Sequence, residues 1–246
     1  MTSYKREKYR VHSLDELQQV MAREIELYGL DANLNFLDVS QLTDLCGLMA
    51  VNPLRYFNGD ISQWDVSNVT NMDRTFQNSY FNGDISQWNT SKVQTMAYIF
   101  EGSQFRGDVS TWDVSNVIQM HGAFANTSFD SDISQWNVSK VRTMQSMFHN
   151  SLFKQDLSSW NIDPEVNWYG AFNKFHASLP GLACYLAQGS SIIIPEDYPF
   201  ISELRQTKAI VNSLGTSPLQ GAISFWNQHV RQYPLLSLTE EVFDFN

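Results

Sequence analysis

Apolar residues recur in this chain at a step of 24 residues rather than at the short period of an isolated helix or strand. Phenylalanine stands at 57, 81, 105, 129 and 153, and tryptophan at 64, 88, 112, 136 and 160. Two further columns hold valine at 69, 93, 117 and 141 and phenylalanine at 76, 100, 124, 148 and 172. A fixed period of this size signals a repeat array, in which each unit buries its apolar residues against its neighbours. Within one unit, Val69, Met72 and Phe76 follow i, i+3, i+7 and predict a short helix, with Ser67, Ser91, Ser115 and Ser139 placed as N-caps. Ile61 to Val66 predicts one strand rung of a parallel sheet, and Asn58-Gly59 and Asn82-Gly83 predict turns. Strand plus helix in 24 residues is the proportion of a leucine-rich repeat. Rungs stack about 5 Å apart and helices about 8–10 Å apart, so such an array curves with its sheet on the concave side.

The flanks depart from the period. Residues 12–29 predict an amphipathic helix, with Ser13 and Glu16 at capping-box spacing, Gly29 as its stop, and Leu14, Leu17, Val20, Met21, Ile25 and Tyr28 on one face. It is placed as a cap over the first unit. Leu37, Leu42, Leu45 and Met49 align under Trp64, Val69, Met72 and Phe76 as a degenerate first repeat, with three extra residues around Pro53 expected to bulge. The domain reading is therefore a capping helix over 1–33, a repeat array over 34–176 (degenerate over 34–56, five repeats from 57) and a C-terminal module over 177–246. Within that module, helices are expected over 178–188, 200–214 and 218–233, with an edge strand at 192–195.

Charge narrows the partners. The chain carries a net charge of -10 over 246 residues, and 57–175 holds 12 Asp and Glu against 7 Lys and Arg. Such a surface repels a phosphate backbone, which excludes nucleic acid as the expected ligand and favours a basic protein. No stretch of 18 apolar residues predicts a membrane span, and no apolar signal-peptide core follows the basic start, so the cytoplasm is the default expectation. The two cysteines, Cys46 and Cys184, form no motif, and the five histidines share no repeat position. His-Glu-x-x-His, Gly-x-Ser-x-Gly, Cys-x-x-Cys and phosphate-loop patterns are all absent, so no enzyme, cofactor or metal site is expected. A Cys184–His229 nucleophile and base can be imagined, with nothing to link them in space.

Three columns carry polar chemistry. Burying one tryptophan removes on the order of 150–250 Å² from water, roughly 4–6 kcal/mol gross, so the tryptophan column is read as core; an exposed carbohydrate-stacking ladder is the alternative. Asp60, Asp84, Asp108, Asp132 and Asp156 would repel one another at about 5 Å, by roughly 3 kcal/mol at an effective dielectric of 20. Each is therefore expected to bind backbone N–H groups of its own turn, with a calcium ladder as the alternative. Position 65 runs Asp65, Asn89, Asp113, Asn137, Asn161 while position 68 alternates Asn68, Lys92, Asn116, Lys140, which avoids like charges on neighbouring units and puts Lys92 within reach of Asp65 or Asp113. Asn-x-Ser/Thr triplets at Asn68, Asn89, Asn126 and Asn137 read as by-products of the repeat wording.

The stretch Asp60 to Phe76 resembles the BspA-type leucine-rich-repeat family of bacterial proteins, whose units read Asp-Ile-Ser-x-Trp-Asp-x-Ser-x-Val-x-x-Met-x-x-x-Phe. The resemblance covers residues 34–175, and Leu14 to Met49 is similar to the lead-in of such proteins. It implies an α/β, right-handed solenoid, and members named as surface adhesins that bind host matrix or other bacteria. The expected function is non-enzymatic protein recognition through the variable residues of the concave face: Gln63, Asp65, Gln87, Asn89, Thr111, Asp113, Gln135 and Asn137. An acidic binder without a visible signal fits a cytosolic immunity or antitoxin protein. A surface adhesin or an effector exported without a signal is the alternative, and an enzyme within 177–246 a third.

Overall fold

The computed structural model describes residues 7–153 together with 155, 157, 159, 160, 162, 166, 167 and 171. The C-terminal module expected over 177–246, with its helices, edge strand, Cys184 and His229, lies outside the described residues. Chain order is β1 (Tyr9–Arg10), α1 (Leu14–Tyr28), β2 (Leu37–Asp38), a 3-10 turn at Leu54–Tyr56, and then a succession of turns. Helix α1 has the caps its sequence predicts: Ser13 accepts from the Glu16 N–H at 3.1 Å, and Gly29 ends it at φ 89°. Leu17, Met21 and Ile25 are buried, whereas Tyr28, expected on the same face, is 60% exposed. Strand β1 pairs parallel with β2, an element the basic N-terminal wording did not announce.

Units stack through a backbone ladder along one side, and the first unit is also bonded to the next at Asn58, Asp60 and Leu34. The N–H groups of Met72, Arg74, Phe76 and Asn78 donate to the carbonyls of Thr95, Ala97, Ile99 and Glu101 in the next unit, at 2.7–2.9 Å. The pattern repeats from Met96 to Gln119 and from Met120 to Thr143, and parallel bridges join Asp44, Asn71, Thr95, Gln119, Thr143 and Asn167 in sequence. Leu45, Gly47 and Met49 make the same bonds to Asn71, Asp73 and Thr75, so residues 34–56 form a unit of this array with the offset of 27 that the extra residues require. Those extra residues fold around buried Leu54, leaving Val51 and Tyr56 exposed.

The strand and helix expected within each unit are both corrected. Where the helix was read, alternate residues form i to i+3 turns, as from Met72 to Thr75 and from Arg74 to Gln77, while the residues between them supply the ladder. Two columns explain why. Gly47, Arg74, Tyr98, Gly122 and Ser146 have φ of 54–68°, as do Asn78, Gly102, Asn126 and Asn150 at 52–64°. A left-handed residue every few positions is incompatible with an α-helix. Where the strand was read, the Trp64 N–H bonds to Ile61 and the Val69 N–H to Val66, folding 61–69 into two turns. The serines at 67, 91, 115 and 139 donate from their backbone N–H to the carboxylate or amide two residues earlier and cap no helix. Gly59 makes a bend rather than the expected tight turn; a Cβ there would lie 2.1 Å from the Ala32 carbonyl oxygen, so close backbone approach selects glycine.

Stacked aromatics fill the interior. Phe76, Phe100, Phe124 and Phe148 follow one another at 5.3–5.8 Å between centroids, and each of the last three also meets Phe105, Phe129 or Phe153 at 4.1 Å. Trp64, Trp88 and Trp112 run nearly parallel at 6.3–6.5 Å, all about 3% exposed, so none offers a face to a sugar. Each indole N–H donates to a carbonyl of the preceding unit: Trp64 to Leu34, Trp88 to Ile61, Trp112 to Ile85, Trp136 to Val109 and Trp160 to Ile133, at 3.0–3.2 Å.

The left-handed columns can be tested directly. At Gly122, φ is 64° and an added Cβ would lie 2.3 Å from Tyr98 Cδ1. Gly122→Ala is expected to lower unfolding free energy by about 1–2 kcal/mol or more. Adding Tyr98→Ala should recover the steric share beyond what single substitutions predict. Urea unfolding of the three variants measures both.

Candidate recognition face

Asx turns build the surface beside the tryptophans. Asp60, Asp84, Asp108 and Asp132 accept, through Oδ1, the N–H of the serine two residues on, at 2.8–3.0 Å. Asp65, Asn89, Asp113 and Asn137 do the same for Ser67, Ser91, Ser115 and Ser139 at 2.9–3.2 Å. The first column thus binds its own backbone, as expected, and its Oδ1 atoms are spent on turns rather than on a cation. Among the described residues no group of three or more His, Cys, Asp or Glu side chains is placed to hold a metal ion.

All eight residues expected to contact a partner are exposed: Gln63, Asp65, Gln87, Asn89, Thr111, Asp113, Gln135 and Asn137. They form two columns, one on each side of the buried tryptophans, because a buried ring at position i sends i-1 and i+1 outward. Local bonds orient them. The Ser62 hydroxyl donates to Asp60, so its oxygen accepts from Gln63 Nε2 at 3.3 Å; Gln87 and Gln135 donate likewise to Ser86 and Ser134. The Thr111 hydroxyl donates to the Ser86 carbonyl of the unit before it at 2.6 Å. Among the described residues no helix of the repeating units backs this face, so the helix spacing expected to make it concave does not act on it.

Charge is arranged differently from the expectation. Lys92 and Lys140 donate to Asn68 and Asn116 at 2.6 Å, so each ammonium sits over an amide of its own column, and Lys140 also helps to lower the Asp113 carboxyl. The hydroxyl and N–H of Ser67 hold the Asp65 carboxyl below its ordinary range, and those of Ser115 do the same for Asp113. Asp84 is lowered by the N–H and hydroxyl of Ser86, with repulsion from Asp60 the smallest influence on it. Turn bonding therefore outweighs the like-charge ladder. At the N-terminal end, the Ser40 hydroxyl and then the Arg10 guanidinium, 2.9 Å away, hold Asp38 down to about 2.

Other surface groups had no warning in the wording of the repeat. Arg74 lies 4.9 Å from the Tyr98 ring centroid, and His121 meets the same ring edge-on at 4.8 Å. Exposed Tyr56 and Tyr80 pack together at 5.3 Å. The one signal that could have found these pairs is the repeat step, since Arg74 and Tyr98, and Tyr56 and Tyr80, differ by 24 and His121 lies 23 beyond Tyr98, which places each pair on adjacent units. No helix among the described residues is long and apolar enough to cross a membrane.

The lowered carboxyls set an acid limit. Their folded pKa values lie below an unfolded value of about 4, so their stabilisation is complete above that pH and is lost as pH falls through the folded values, about 2 for Asp38. Asp84→Asn with Asp113→Asn should make the acid loss shallower and leave unfolding at neutral pH little changed, since the amides of Asn89 and Asn137 already close the same turn. Urea midpoints between about pH 7 and pH 2 check this.

A family model described as "Mycoplasma protein of unknown function, DUF285" matches residues 15–127 and 79–180. No curated protein matches the chain. No solved structure matches it either. The two overlapping matches run through the whole stacked array and cover well over half of the 246 residues, so the chain belongs to the DUF285 family.

Proposed function

We propose that this chain is a non-enzymatic protein-recognition scaffold of solenoid type, and that its contact surface is the pair of columns beside the tryptophans. One observation carries the reading: beside buried columns that repeat from unit to unit lies a set of exposed positions whose residues change. Positions 57, 64, 69, 72 and 76 repeat as Phe, Trp, Val, Met and Phe and are buried, whereas positions 63, 65, 68, 70, 74 and 80 change and mostly face solvent. Variation on a fixed scaffold is how repeat proteins distinguish partners.

The partner is a basic protein. A face that carries Asp65 and Asp113 on a chain of net charge -10 attracts cations and repels phosphate. The cellular role favoured by an acidic, compact binder is immunity or antitoxin action in the cytoplasm. The resemblance to BspA-type repeats supports a second reading, a surface adhesin or exported effector.

The test is capture from the native cell followed by mass spectrometry, with the full chain and a variant carrying Asp65→Lys and Asp113→Lys. A basic protein held by the natural chain and released by the variant is the expected result. Identical captures by both would remove the face from the account. Fractionation separates the two roles, because protein found outside the cell contradicts an immunity function.

A further inference from the structure

Arg10 supplies a bound example at the head of the position-65 column. Strand β1 pairs with β2 so that Arg10 lies level with Asp38, and the guanidinium donates from Nε to Asp38 Oδ2 at 2.9 Å. Asp38 is the position-65 residue of the first unit, since Leu37-Asp38-Val39-Ser40 lies under Trp64-Asp65-Val66-Ser67 and Trp112-Asp113-Val114-Ser115. Its turn is the same as theirs. Asp38 Oδ1 accepts the Ser40 N–H at 3.1 Å and the Ser40 hydroxyl at 2.6 Å, which leaves Oδ2 as the outward acceptor. Asp65 and Asp113 commit Oδ1 to the N–H groups of Ser67 and Ser115 at 3.1 and 2.9 Å. Both are exposed, and among the described residues no cation is bonded to either.

We infer that Asp65 and Asp113 are guanidinium sites, each taking an arginine of the partner on Oδ2 as Asp38 takes Arg10. This names the chemistry of the contact and so rests on the reading that the face is a contact surface. Arg10 reaches Asp38 from the open end of the column, whereas Asp65 and Asp113 have units on both sides, so their arginines come from solvent. The face already separates the two kinds of cation. Lys92 and Lys140 donate to the amide oxygens of Asn68 and Asn116 at 2.6 Å and make no bond to either carboxylate; Lys140 acts on Asp113 through charge alone. A guanidinium is planar, less strongly hydrated than an ammonium and able to place two N–H groups on one carboxylate. It therefore gains more from an acceptor whose orientation a turn has already set. The position-60 column is filled differently, because Asp60 Oδ2 accepts an amide, Nδ2 of Asn33, at 2.8 Å. Steps of 6.3 and 6.5 Å between the adjoining tryptophan rings, which lie within 7° of parallel, set Asp65 and Asp113 about 13 Å apart. An extended segment advances about 3.3 Å per residue, so two arginines four residues apart on one of its faces reach both sites.

NMR titration of the isotope-labelled full chain with the peptide Arg-Gly-Ser-Gly-Arg, and with Lys-Gly-Ser-Gly-Lys at equal ionic strength, tests the inference. The serine amides of the four turns are the reporters. The arginine peptide should move the Ser67 and Ser115 amides most, saturating at about millimolar concentration because exposed ion pairs are individually weak. The amides of Ser91 and Ser139, bonded to Asn89 and Asn137, should move little. The lysine peptide should bind at least about threefold more weakly. Asp65→Asn with Asp113→Asn keeps both turns in the form that Asn89 and Asn137 show, and should abolish the saturable shifts at Ser67 and Ser115. Equal binding of the two peptides overturns the inference. So does a response largest at Ser86 and Ser110, which would place arginine on the position-60 column, and so does the absence of any saturable shift. Failure here is distinct from failure of the partner reading. A basic protein released by Asp65→Lys with Asp113→Lys, from a face that binds both peptides equally, would keep the contact surface and remove its selectivity for arginine.

Discussion

The bond from each tryptophan indole N–H to a carbonyl of the preceding unit is the constraint on which the stack depends. A backbone ladder joins the units along residues 70–80 and their equivalents. Beside the tryptophans the local turns consume backbone N–H groups, so adjacent units are tied there by side chains. Most of those ties lie at the surface, such as Thr111 to Ser86 and Asn116 to Ser91. The indole bonds are buried, and each gives a second partner to a carbonyl that already accepts a turn N–H, as that of Ile85 does from Trp88. A buried indole N–H left without such an acceptor would cost about 1–3 kcal/mol. Phenylalanine could fill the same space but could not donate, which accounts for tryptophan at 64, 88, 112, 136 and 160.

Much of this was legible in the residue columns and some was not. The step of 24, the capping helix, the degenerate first unit and the buried tryptophans could be read directly, because burial acts on residue type and repetition amplifies it. The local conformation could not be read from apolar spacing. Val69, Met72 and Phe76 satisfy a helical period, yet they lie on alternating turns, because two left-handed positions interrupt the stretch. Asn78, Gly102, Asn126 and Asn150 carried that message in the sequence, since asparagine and glycine are the residues that adopt this conformation most readily. The expected strand failed for a related reason: an Asx residue with serine two positions on offers the backbone a local partner that competes with a ladder. The eight exposed residues were identifiable because they flank an invariant buried ring. Their donor and acceptor polarity was not, since it follows from which terminal atom the neighbouring serine N–H occupies.

The same turns that hold the scaffold prepare its surface. One oxygen or nitrogen of each position-65 side chain faces outward with its orientation already fixed, so contact orders few additional side-chain torsions. Alternation of Asp and Asn lowers repulsion within the stack and gives the face a definite register towards whatever meets it. Under the proposed recognition role, stability and contact draw on one set of bonds, and changes at the serines would disturb both together.

Hydrogen exchange at the indole N–H groups tests the central claim most directly. If those groups close the buried side of the array, the indole protons of Trp88, Trp112 and Trp136 should exchange only through large-scale opening, at rates within about tenfold of the Met96 and Met120 ladder amides. Exchange at rates typical of solvent-exposed indoles, while those amides stay protected, would contradict it.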